Sequence, residues 1–529
     1  MIGLTGYKIE AVGELALRLT QNAARLNAPC YRPDAIYSAD QAGWPGDWEG
    51  RTILALVSLW NALGTKPAYL DLIMEDFPNH LNESGYIGPE HGPDDIVDEQ
   101  QLSGHNWLVR GLTEYYLRTG SREIRDIILK IVENLYLPLR GKYAGYPLGS
   151  ERGEGERGGY AGKITGSAGI WKTSSDIGCA FMCLDALSQV YEVFRIDSVR
   201  VLLEEMIGVF EKVDFCGGNM QTHASLSAVR GILKFAEATG DQRYFDIGKR
   251  IFDIYLRSGM TENYANYNWF GRIDTWTEPC AIVDSEMVSL TLFRLTNDTK
   301  YLTLANRIRF NALGYAQRPN GGFGTDKCVG LPEDSAAFPD ADPQPACNPF
   351  LSPSGDGISE AFWCCTMRGS EGLRSILQHS LLLEKGAAGE PDTLWLPFAT
   401  DVNADCGSFT LSVRSGLPYD CRYTVIITAA SLPVSLELMI YTPAGIDRRH
   451  AELKPDETAC FEGSHALESH TERSSDGRSI KYFRGDLLLG KKQGADLLRS
   501  LTDMIDLTLD EAGSDRRRIL FEPEEAVDL

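Results

Sequence analysis

Apolar residues recur at three- and four-residue spacing through most of the first 383 residues, which is the pattern of helices with one buried face. The spacing predicts twelve helices. Their ranges are 12–26, 52–63, 68–77, 107–117, 124–135, 180–193, 199–210, 226–235, 244–256, 281–295, 302–313 and 373–383. A region of this length can bury a large core of its own.

Several predicted helices end and restart in a similar way. Gly120, Gly240 and Asn297 follow helix ends, and a Ser or Asp stands directly after each of them as a start for the next helix. This degenerate repeat of helix pairs predicts a closed (α/α)6 barrel rather than an open solenoid. Long irregular segments interrupt the helices and are predicted to cover the mouth of the barrel: 79–104, 140–175 and 319–362.

After about residue 390 the pattern changes to short apolar or alternating runs punctuated by glycine and proline, as in a β-sandwich. The clearest predicted strands are 409–413, 423–428, 436–441 and 486–490. The sequence therefore predicts a mainly α, multidomain protein. An (α/α)6 catalytic barrel would occupy residues 1–388, and a small β-sandwich accessory domain with an acidic tail from Leu501 would occupy 389–529.

The charge of the chain narrows the choice of partners. The 529 residues include 51 Lys and Arg against 74 Asp and Glu, a formal charge of −23, and no long basic run. This argues against nucleic acids and anionic membrane surfaces as partners. A small neutral substrate such as a sugar fits better.

The first residues and the cysteine content predict a cellular location. The N-terminus lacks a basic segment followed by an apolar run, and no apolar stretch reaches the roughly 18 residues of a membrane-spanning helix. The twelve cysteines have no regular spacing, as expected for reduced thiols. We therefore expect a cytoplasmic protein, and the sequence leaves its oligomeric state open.

Two short motifs concentrate the candidate chemistry. One is Cys364-Cys365, and the other is Glu278-Pro279-Cys280, in which the proline suits the first turn of a helix. Three thiolates and a carboxylate are ligands that can close a tetrahedral zinc site. A helix N-terminus stabilises the thiolate that metal binding and nucleophilic attack both require. Spacing alone leaves three interpretations open: buried apolar cysteines, a structural zinc site or a catalytic one.

The segment from residue 262 to residue 276 is rich in aromatic residues, with asparagines between them. Tyr264, Trp269 and Trp276 offer flat faces on which a sugar ring can stack, and amides can bind its hydroxyl groups. Loop packing would use the same residues. We predict these three as substrate contacts.

These motifs resemble the zinc-dependent β-L-arabinofuranosidases of glycoside hydrolase family 127, which carry a Glu-x-Cys before a helix and a Cys-Cys downstream. That family has a further glutamate sixteen residues before the Glu of Glu-x-Cys, and this chain has Glu262 at that position. A family Gly-His that opens an early helix is matched by Gly104-His105. His223 precedes an Ala-Val-Arg helix, as a later family histidine does. The resemblance covers about residues 10–385.

The resemblance implies a retaining glycoside hydrolase that acts on a small furanoside or a related glycoside. It implies a Zn²⁺ site formed by Glu278, Cys280, Cys364 and Cys365. Cys364 would be the nucleophile, and Glu262 would be the general acid and then the base of a double displacement. His105 and His223 would bind the substrate, through contacts to sugar hydroxyls or to the reacting carboxyl.

Two other functions remain open at this point. One is a non-catalytic carbohydrate-binding (α/α)6 protein with a structural zinc, and the other is a different (α/α)6 carbohydrate enzyme, a lyase or an unsaturated-uronide hydrolase. The chain also departs from the family pattern. Thr366-Met367-Arg368 stands where a Pro-Pro-Asn-like run usually follows the Cys-Cys. A second family histidine, set in a Gly-His-x-Glu context, has no evident counterpart, although Ser175-Asp176 lies nearby in the sequence.

Overall fold

The structure, a computed structural model, describes residues 2–38, 43–90, 92, 96–148, 152, 162–272, 275–326, 328, 352–353, 359–387, 390–398, 400–418, 422–464, 469–473, 479–493, 496–498, 508–509 and 515–516. Within these ranges, twelve helices have nine or more residues. They are α1 (Gly13–Arg25), α2 (Asp47–Leu63), α3 (Ala68–Asp76), α4 (Glu99–Thr119), α5 (Arg122–Ile131), α6 (Cys183–Phe194), α7 (Asp197–Phe210), α8 (Thr222–Thr239), α9 (Gln242–Ser258), α10 (Pro279–Thr296), α11 (Lys300–Ile308) and α12 (Cys365–His379). Each of the twelve predicted helices overlaps one of them.

The even-numbered helices form a closed inner ring. Each contacts the next even-numbered helix, from α2 through α4, α6, α8 and α10 to α12, and α12 contacts α2. The odd-numbered helices lie outside this ring. Burial differs accordingly, since α10 is buried over most of its length whereas α9 buries one stripe that includes Tyr244, Ile247 and Ile251. The predicted (α/α)6 barrel is confirmed.

The predicted stop and start residues act as expected at the turns between inner and outer helices. Gly120, Gly240 and Asn297 adopt the left-handed backbone conformation, and their N–H groups close the last turns of α4, α8 and α10. Ser121 and Asp241 then cap α5 and α9 by accepting hydrogen bonds from backbone N–H groups. These caps let the outer helices α5 and α9 follow the inner helices α4 and α8 after short turns.

Helix α4 begins earlier than the hydrophobic pattern predicts. It starts at Glu99, because the Asp98 side chain accepts a hydrogen bond of 2.9 Å from the first turn of the helix backbone. The irregular segment predicted over 79–104 therefore ends before Glu99, and Gly104-His105 lies inside the helix rather than at its start. The pattern missed the first turns because their residues are polar and yet buried.

Strands form the other part of the fold. In chain order they are β1 (Gly3–Leu4), β2 (Lys8–Ala11), β3 (Val97–Asp98), β4 (Ile164–Ala168), β5 (Trp171–Ser174), β6 (Ser352–Pro353), β7 (Ser359–Glu360), β8 (Leu382–Glu384), β9 (Asp392–Leu396), β10 (Val402–Asp405), β11 (Phe409–Ser415), β12 (Arg422–Ala429), β13 (Val434–Thr442), β14 (Gly445–Leu453), β15 (Thr458–Ser464), β16 (Ser469–Arg473), β17 (Ser479–Arg484), β18 (Leu487–Gln493), β19 (Asp496–Leu498), β20 (Thr508–Leu509) and β21 (Asp515–Arg516). Two five-stranded sheets have the orders β1-β8-β9-β13-β14 and β15-β12-β11-β10-β2. Alternate residues of β11, β12 and β13 are buried in a common core, as in a β-sandwich. The predicted sandwich is confirmed.

Both ends of the chain contribute to these sheets. β1 pairs antiparallel with β8, and β2 pairs antiparallel with β10, so residues 3–11 join strands that follow residue 381. The predicted boundary at residues 388 and 389 lies outside the described residues, as does the predicted tail except for 508–509 and 515–516.

A further sheet, β16-β17-β18-β19, contacts the barrel. Arg307 of α11 forms an ion pair of 2.6 Å with Glu472 of β16. None of the helices in the described ranges is long and apolar enough to cross a membrane.

Candidate active site

The two cysteine motifs lie at the starts of neighbouring helices of the inner ring. Glu278 is the N-cap residue of α10, Pro279 is its first residue and Cys280 its second. Cys364 is the N-cap residue of α12, and Cys365 is its first residue. The helix start predicted at Pro279 is confirmed, whereas α12 begins at Cys365, before its predicted range of 373–383. Because α10 and α12 are adjacent in the ring, the motifs meet although 84 residues separate Cys280 from Cys364.

The side chains of Glu278, Cys280, Cys364 and Cys365 form one compact group, which we call the thiol cluster. Its ligand atoms, three Sγ and one carboxylate oxygen, all lie within 4.8 Å of one another. The Sγ of Cys280 is 3.4 Å from the Sγ of Cys364 and 3.8 Å from the Sγ of Cys365. The Sγ of Cys364 is 3.9 Å from Oε1 of Glu278. All four residues are buried, and their arrangement could hold a metal ion.

The members of the thiol cluster affect one another's ionisation. Hydrogen bonds from the thiols of Cys280 and Cys365 lower the pKa of Cys364 well below its ordinary value, and the charge of Arg51 lowers it further. Burial raises the pKa values of the other two thiols and of the Glu278 carboxyl. Cys364 is therefore the sulfur of the cluster that ionises most readily.

A pocket of about 350 Å³ opens beside Cys364. Among the residues that the structure describes, Cys364 is the one cysteine of the thiol cluster that lines it. The polar and aromatic residues of the lining include Trp44, Asp47, Trp48, Arg51, Asp176, His223, Glu278 and Trp363. The structure thus brings together three predicted site residues, Cys364, Glu278 and His223, at one pocket.

The loop between α9 and α10 holds Glu278 in place. Oδ1 of Asn266 accepts a hydrogen bond of 2.8 Å from the Glu278 N–H. The Asn268 amide, in the orientation that satisfies both neighbours, donates to Oε2 of Glu278 at 2.7 Å and accepts from Nε1 of Trp276 at 3.3 Å. Glu262 lies in the same loop, is 8% exposed, and is not among the described residues that line the pocket.

His223 lines the pocket, and two neighbouring residues fix the orientation of its ring. Its Nδ1 lies 2.8 Å from Oδ2 of Asp284, and its ring stacks on Trp107 with the centroids 5.6 Å apart. Burial lowers the pKa of His223, so the ring is neutral at neutral pH and Nδ1 carries the proton that Asp284 accepts. Its Nε2, which makes no hydrogen bond to any described residue, is then a free acceptor.

Asp284 belongs to a buried group of charges that includes Arg368. Its Oδ1 accepts hydrogen bonds from Arg230 at 2.8 Å and from Arg368 at 2.5 Å. Burial alone would raise the pKa of Asp284, but the two arginines and the neighbouring histidine, with Arg368 the strongest, hold it well below its usual range. Arg368 also pairs with Glu371 and lies 4.7 Å from the centroid of the Trp107 ring. Arg368, which stands where the chain departs from the family pattern, thus binds Asp284, the residue that orients His223.

Comparisons with known proteins agree with this architecture. No family model and no curated protein sequence matches the chain. A solved β-arabinofuranosidase of glycoside hydrolase family 127 aligns with 92% of this chain and 85% of its own, at 14% identity and a TM-score of 0.62. A family 127 β-L-arabinofuranosidase from Geobacillus stearothermophilus T6 aligns with 92% of this chain and 86% of its own, at 12% identity and a TM-score of 0.61. The chain has the fold of these family 127 enzymes.

The shared fold extends beyond the motifs that predicted it. The resemblance read from the sequence covers about residues 10–385, whereas the structural match to the family 127 enzymes covers 92% of the chain. The predicted resemblance is therefore confirmed at the level of the fold, and it includes strands of the sandwich as well as the barrel.

His105, predicted to bind the sugar, has both ring nitrogens engaged by the main chain. Its Nδ1 donates to the Gln101 carbonyl at 2.8 Å, and its Nε2 accepts from the Ile87 N–H at 3.1 Å. Burial lowers the pKa of His105 to about 4, so the ring is neutral. His105 is fully buried and ties the segment before α4 to that helix. Its contact with a sugar stays a prediction.

The three aromatic residues predicted as substrate contacts are buried in the loop that carries Glu262. Trp269 and Trp276 pack edge to face with centroids 5.3 Å apart, and Nε1 of Trp269 donates to the Ser175 carbonyl at 3.2 Å. The Tyr264 hydroxyl accepts a hydrogen bond of 3.0 Å from Arg307. None of the three is among the described residues that line the pocket, and their sugar contacts stay predictions.

Several residues that line the pocket were not predicted from the sequence to have a role in the site. Asp47 and Arg51 form an ion pair of 2.8 Å at the start of α2, and their four-residue spacing at a helix start was the available signal. Burial raises the pKa of Asp176 to about 7, and the nearby Cys364 adds to the effect. Trp44 and Trp363 come from separate parts of the chain, and nothing in their local sequence marks them as neighbours.

Proposed function

We propose that this chain is a retaining glycoside hydrolase that acts on a small furanoside or a related glycoside, with Cys364 as the nucleophile. One observation carries the proposal: the Sγ of Cys364 belongs to the thiol cluster, and the same residue lines the pocket. A cluster with a purely structural role would have no need of a sulfur at a pocket wall. The fold shared with family 127 enzymes supports the same assignment.

The thiol cluster fits a zinc ion. In a tetrahedral site with Zn–S bonds of about 2.3 Å, two sulfurs lie about 3.8 Å apart, and the cluster has sulfur–sulfur distances of 3.4 and 3.8 Å. Burial disfavours the ionised forms of Glu278, Cys280 and Cys365, and a divalent cation among them would offset that cost. Bound there, Zn²⁺ would keep the cysteines as thiolates at neutral pH.

The chain's own residues account for the two displacements. The Cys364 thiolate attacks the anomeric carbon, so that a C–S bond forms while the bond to the leaving oxygen breaks and Glu262 gives that oxygen a proton. The Glu262 carboxylate then takes a proton from water, whose oxygen attacks the same carbon and releases the Cys364 thiolate. Two inversions retain the configuration of the sugar.

The loop that contains Glu262 supports its role as the acid and base. Asn266 and Asn268 of this loop bind the backbone and the carboxylate of Glu278, so the loop is attached to the thiol cluster. A carboxyl carried on a loop that is anchored to the nucleophile's neighbours keeps a fixed relation to the reacting carbon.

The pocket lining suits a neutral sugar. His223 offers a free acceptor at Nε2, and Asp176, with its pKa near 7, can donate or accept a hydrogen bond at neutral pH. Trp44, Trp48 and Trp363 add flat apolar faces, and such a mixture is typical of sites that bind a sugar ring.

The charges of the pocket disfavour an anionic substrate. Three carboxylate residues, Asp47, Asp176 and Glu278, line it among the described residues, and the guanidinium of Arg51 is already paired with Asp47. A lyase or an unsaturated-uronide hydrolase must bind a carboxylate of its substrate, and the described lining residues offer no unpaired cation for it. A neutral glycoside is favoured for this reason.

The function is tested by measuring the zinc content of the purified protein together with its activity on a panel of nitrophenyl glycosides that includes β-L-arabinofuranoside. We expect stoichiometric zinc, hydrolysis of at least one furanoside, and a first-formed product with retained configuration by NMR. Bound zinc without hydrolysis of any member of the panel would favour a non-catalytic sugar-binding protein instead. Hydrolysis at full rate by zinc-free protein would contradict the proposal.

A further inference from the structure

The side chain of Arg51 contacts the thiol cluster at one of its three sulfurs. Its Nη1 lies 3.6 Å from the Sγ of Cys280. Arg51 is 6% exposed, and no motif that relates this chain to other enzymes includes it. Burying a guanidinium costs free energy unless its partners hold it in a favourable geometry. The contacts of Arg51 therefore indicate what the side chain does.

Two contacts fix the position of the guanidinium. Its Nε donates to Oδ2 of Asp47 at 2.8 Å, one helical turn earlier on α2. Its centre lies 4.1 Å from the centroid of the Trp107 ring on α4. The two helices approach closely at Gly50, where an added Cβ would stand 2.1 Å from the backbone nitrogen of Leu108. Arg51 is thus held between an acid and an aromatic ring, with one N–H directed at Cys280.

This contact makes the three sulfurs chemically unequal. In the described part of the chain, no arginine or lysine donates a hydrogen bond to Cys364 or to Cys365, whereas Arg51 donates to Cys280. The charge of Arg51 also acts on Cys364, but without a hydrogen bond to that sulfur. With zinc bound, Cys280 would be a thiolate, and a charge-assisted hydrogen bond to a thiolate withdraws electron density from the sulfur and lowers its nucleophilicity. Cys280 is therefore the sulfur least suited to attack.

We propose that Arg51 is a positioning residue that holds Cys280 as an unreactive ligand, so that Cys364 is the sulfur that reacts. The importance of this selection for turnover rests on the proposed function. The selection itself is a property of the sulfurs, and it can be measured without any glycoside.

The test compares the alkylation of individual cysteines. The zinc-loaded protein is treated with iodoacetamide, and the initial rates at Cys280 and Cys364 are read from their peptides by mass spectrometry. In Arg51→Met, the ratio of the Cys280 rate to the Cys364 rate is expected to rise at least about tenfold, the effect of losing one charge-assisted hydrogen bond. Arg51→Gln, a second neutral variant, is measured in parallel so that the comparison does not depend on a single folded protein.

Two controls separate hydrogen bonding from mere access. Arg51→Lys opens space beside Cys280 but keeps a cationic donor, so its ratio should stay close to that of the wild type. Arg118→Met removes an arginine near the end of α4 that lies 4.7 Å from the centroid of the Trp60 ring and outside the thiol cluster, and it should leave the ratio unchanged.

An unchanged ratio in the folded neutral variants would overturn the proposal, and so would an equal rise in Arg51→Lys and Arg51→Met. A lower affinity for substrate with an unchanged ratio would assign Arg51 to sugar binding and would also overturn it. If the ratio shifts as expected while the wild type hydrolyses no glycoside, the role of Arg51 at Cys280 is supported and only the proposed function is contradicted.

Discussion

Replacing Cys364 by alanine is expected to lower kcat/KM on a hydrolysed nitrophenyl glycoside by more than about a thousandfold, because the first displacement loses its nucleophile. The other members of the thiol cluster remain in place, and the Cys364 side chain is small and lies at the pocket wall. The fold should therefore persist. The measurements are initial rates across the panel and the far-UV circular dichroism melting curve of the same preparation.

Cys406→Ala is the matched control for this prediction. Cys406 is 7% exposed, as Cys364 is, but it lies between β10 and β11 in the sandwich. Its loss should leave the rates at the wild-type level. A Cys364→Ala protein with the rates of Cys406→Ala would rule out Cys364 as the nucleophile, whatever the zinc content.

The second large effect is expected on stability. Asp284→Asn should lower the free energy of unfolding by about 3–5 kcal/mol, the usual cost of leaving buried charges without their partner. Asp284 is fully buried and accepts hydrogen bonds from His223, Arg230 and Arg368, which an uncharged amide cannot match. Urea unfolding followed by circular dichroism at neutral pH measures the change.

Asp253→Asn serves as the control, because it removes an ion pair that is exposed to solvent. Asp253 pairs with Lys249 at 2.7 Å on the outer helix α9, and both side chains are about one-third exposed. Its loss should change the free energy of unfolding by less than about 1 kcal/mol. If Asp284→Asn destabilised the protein no more than Asp253→Asn does, the buried charges around His223 would not contribute to stability as described.

The features that the sequence predicted well are those fixed by local physical chemistry. Twelve stretches of helical spacing became twelve helices, and the turn residues at Gly120 and Gly240 ended helices as expected. Pro279 placed the start of α10 correctly, which put Cys280 in its first turn. Because the closed ring follows from the repeat of helix pairs, the proximity of the two cysteine motifs could also be predicted from the sequence.

Contacts between distant segments were not predictable in this way. β1 and β2 have two and four residues, too few for a pattern, and only their pairing with β8 and β10 defines them. Of the two main-chain partners of His105, Ile87 lies before α4 and Gln101 lies in its first turn, whose polar residues gave no sign that they are buried. Arg51 and Arg368 read as ordinary charged residues in the sequence, and their roles arise only where separate helices converge on Trp107.

If Cys364 is the nucleophile, it forms a covalent bond to the sugar, and that bond can be detected directly. Glu262→Gln is incubated with a nitrophenyl glycoside that the wild type hydrolyses, quenched with acid and mapped by peptide mass spectrometry. Nitrophenolate leaves without help from an acid, whereas release of the sugar from sulfur needs the base, so the intermediate should accumulate. We expect one glycosyl unit on the peptide that carries Cys364. A glycosyl unit on any other residue, or active enzyme that never carries one, would rule out Cys364 as the nucleophile.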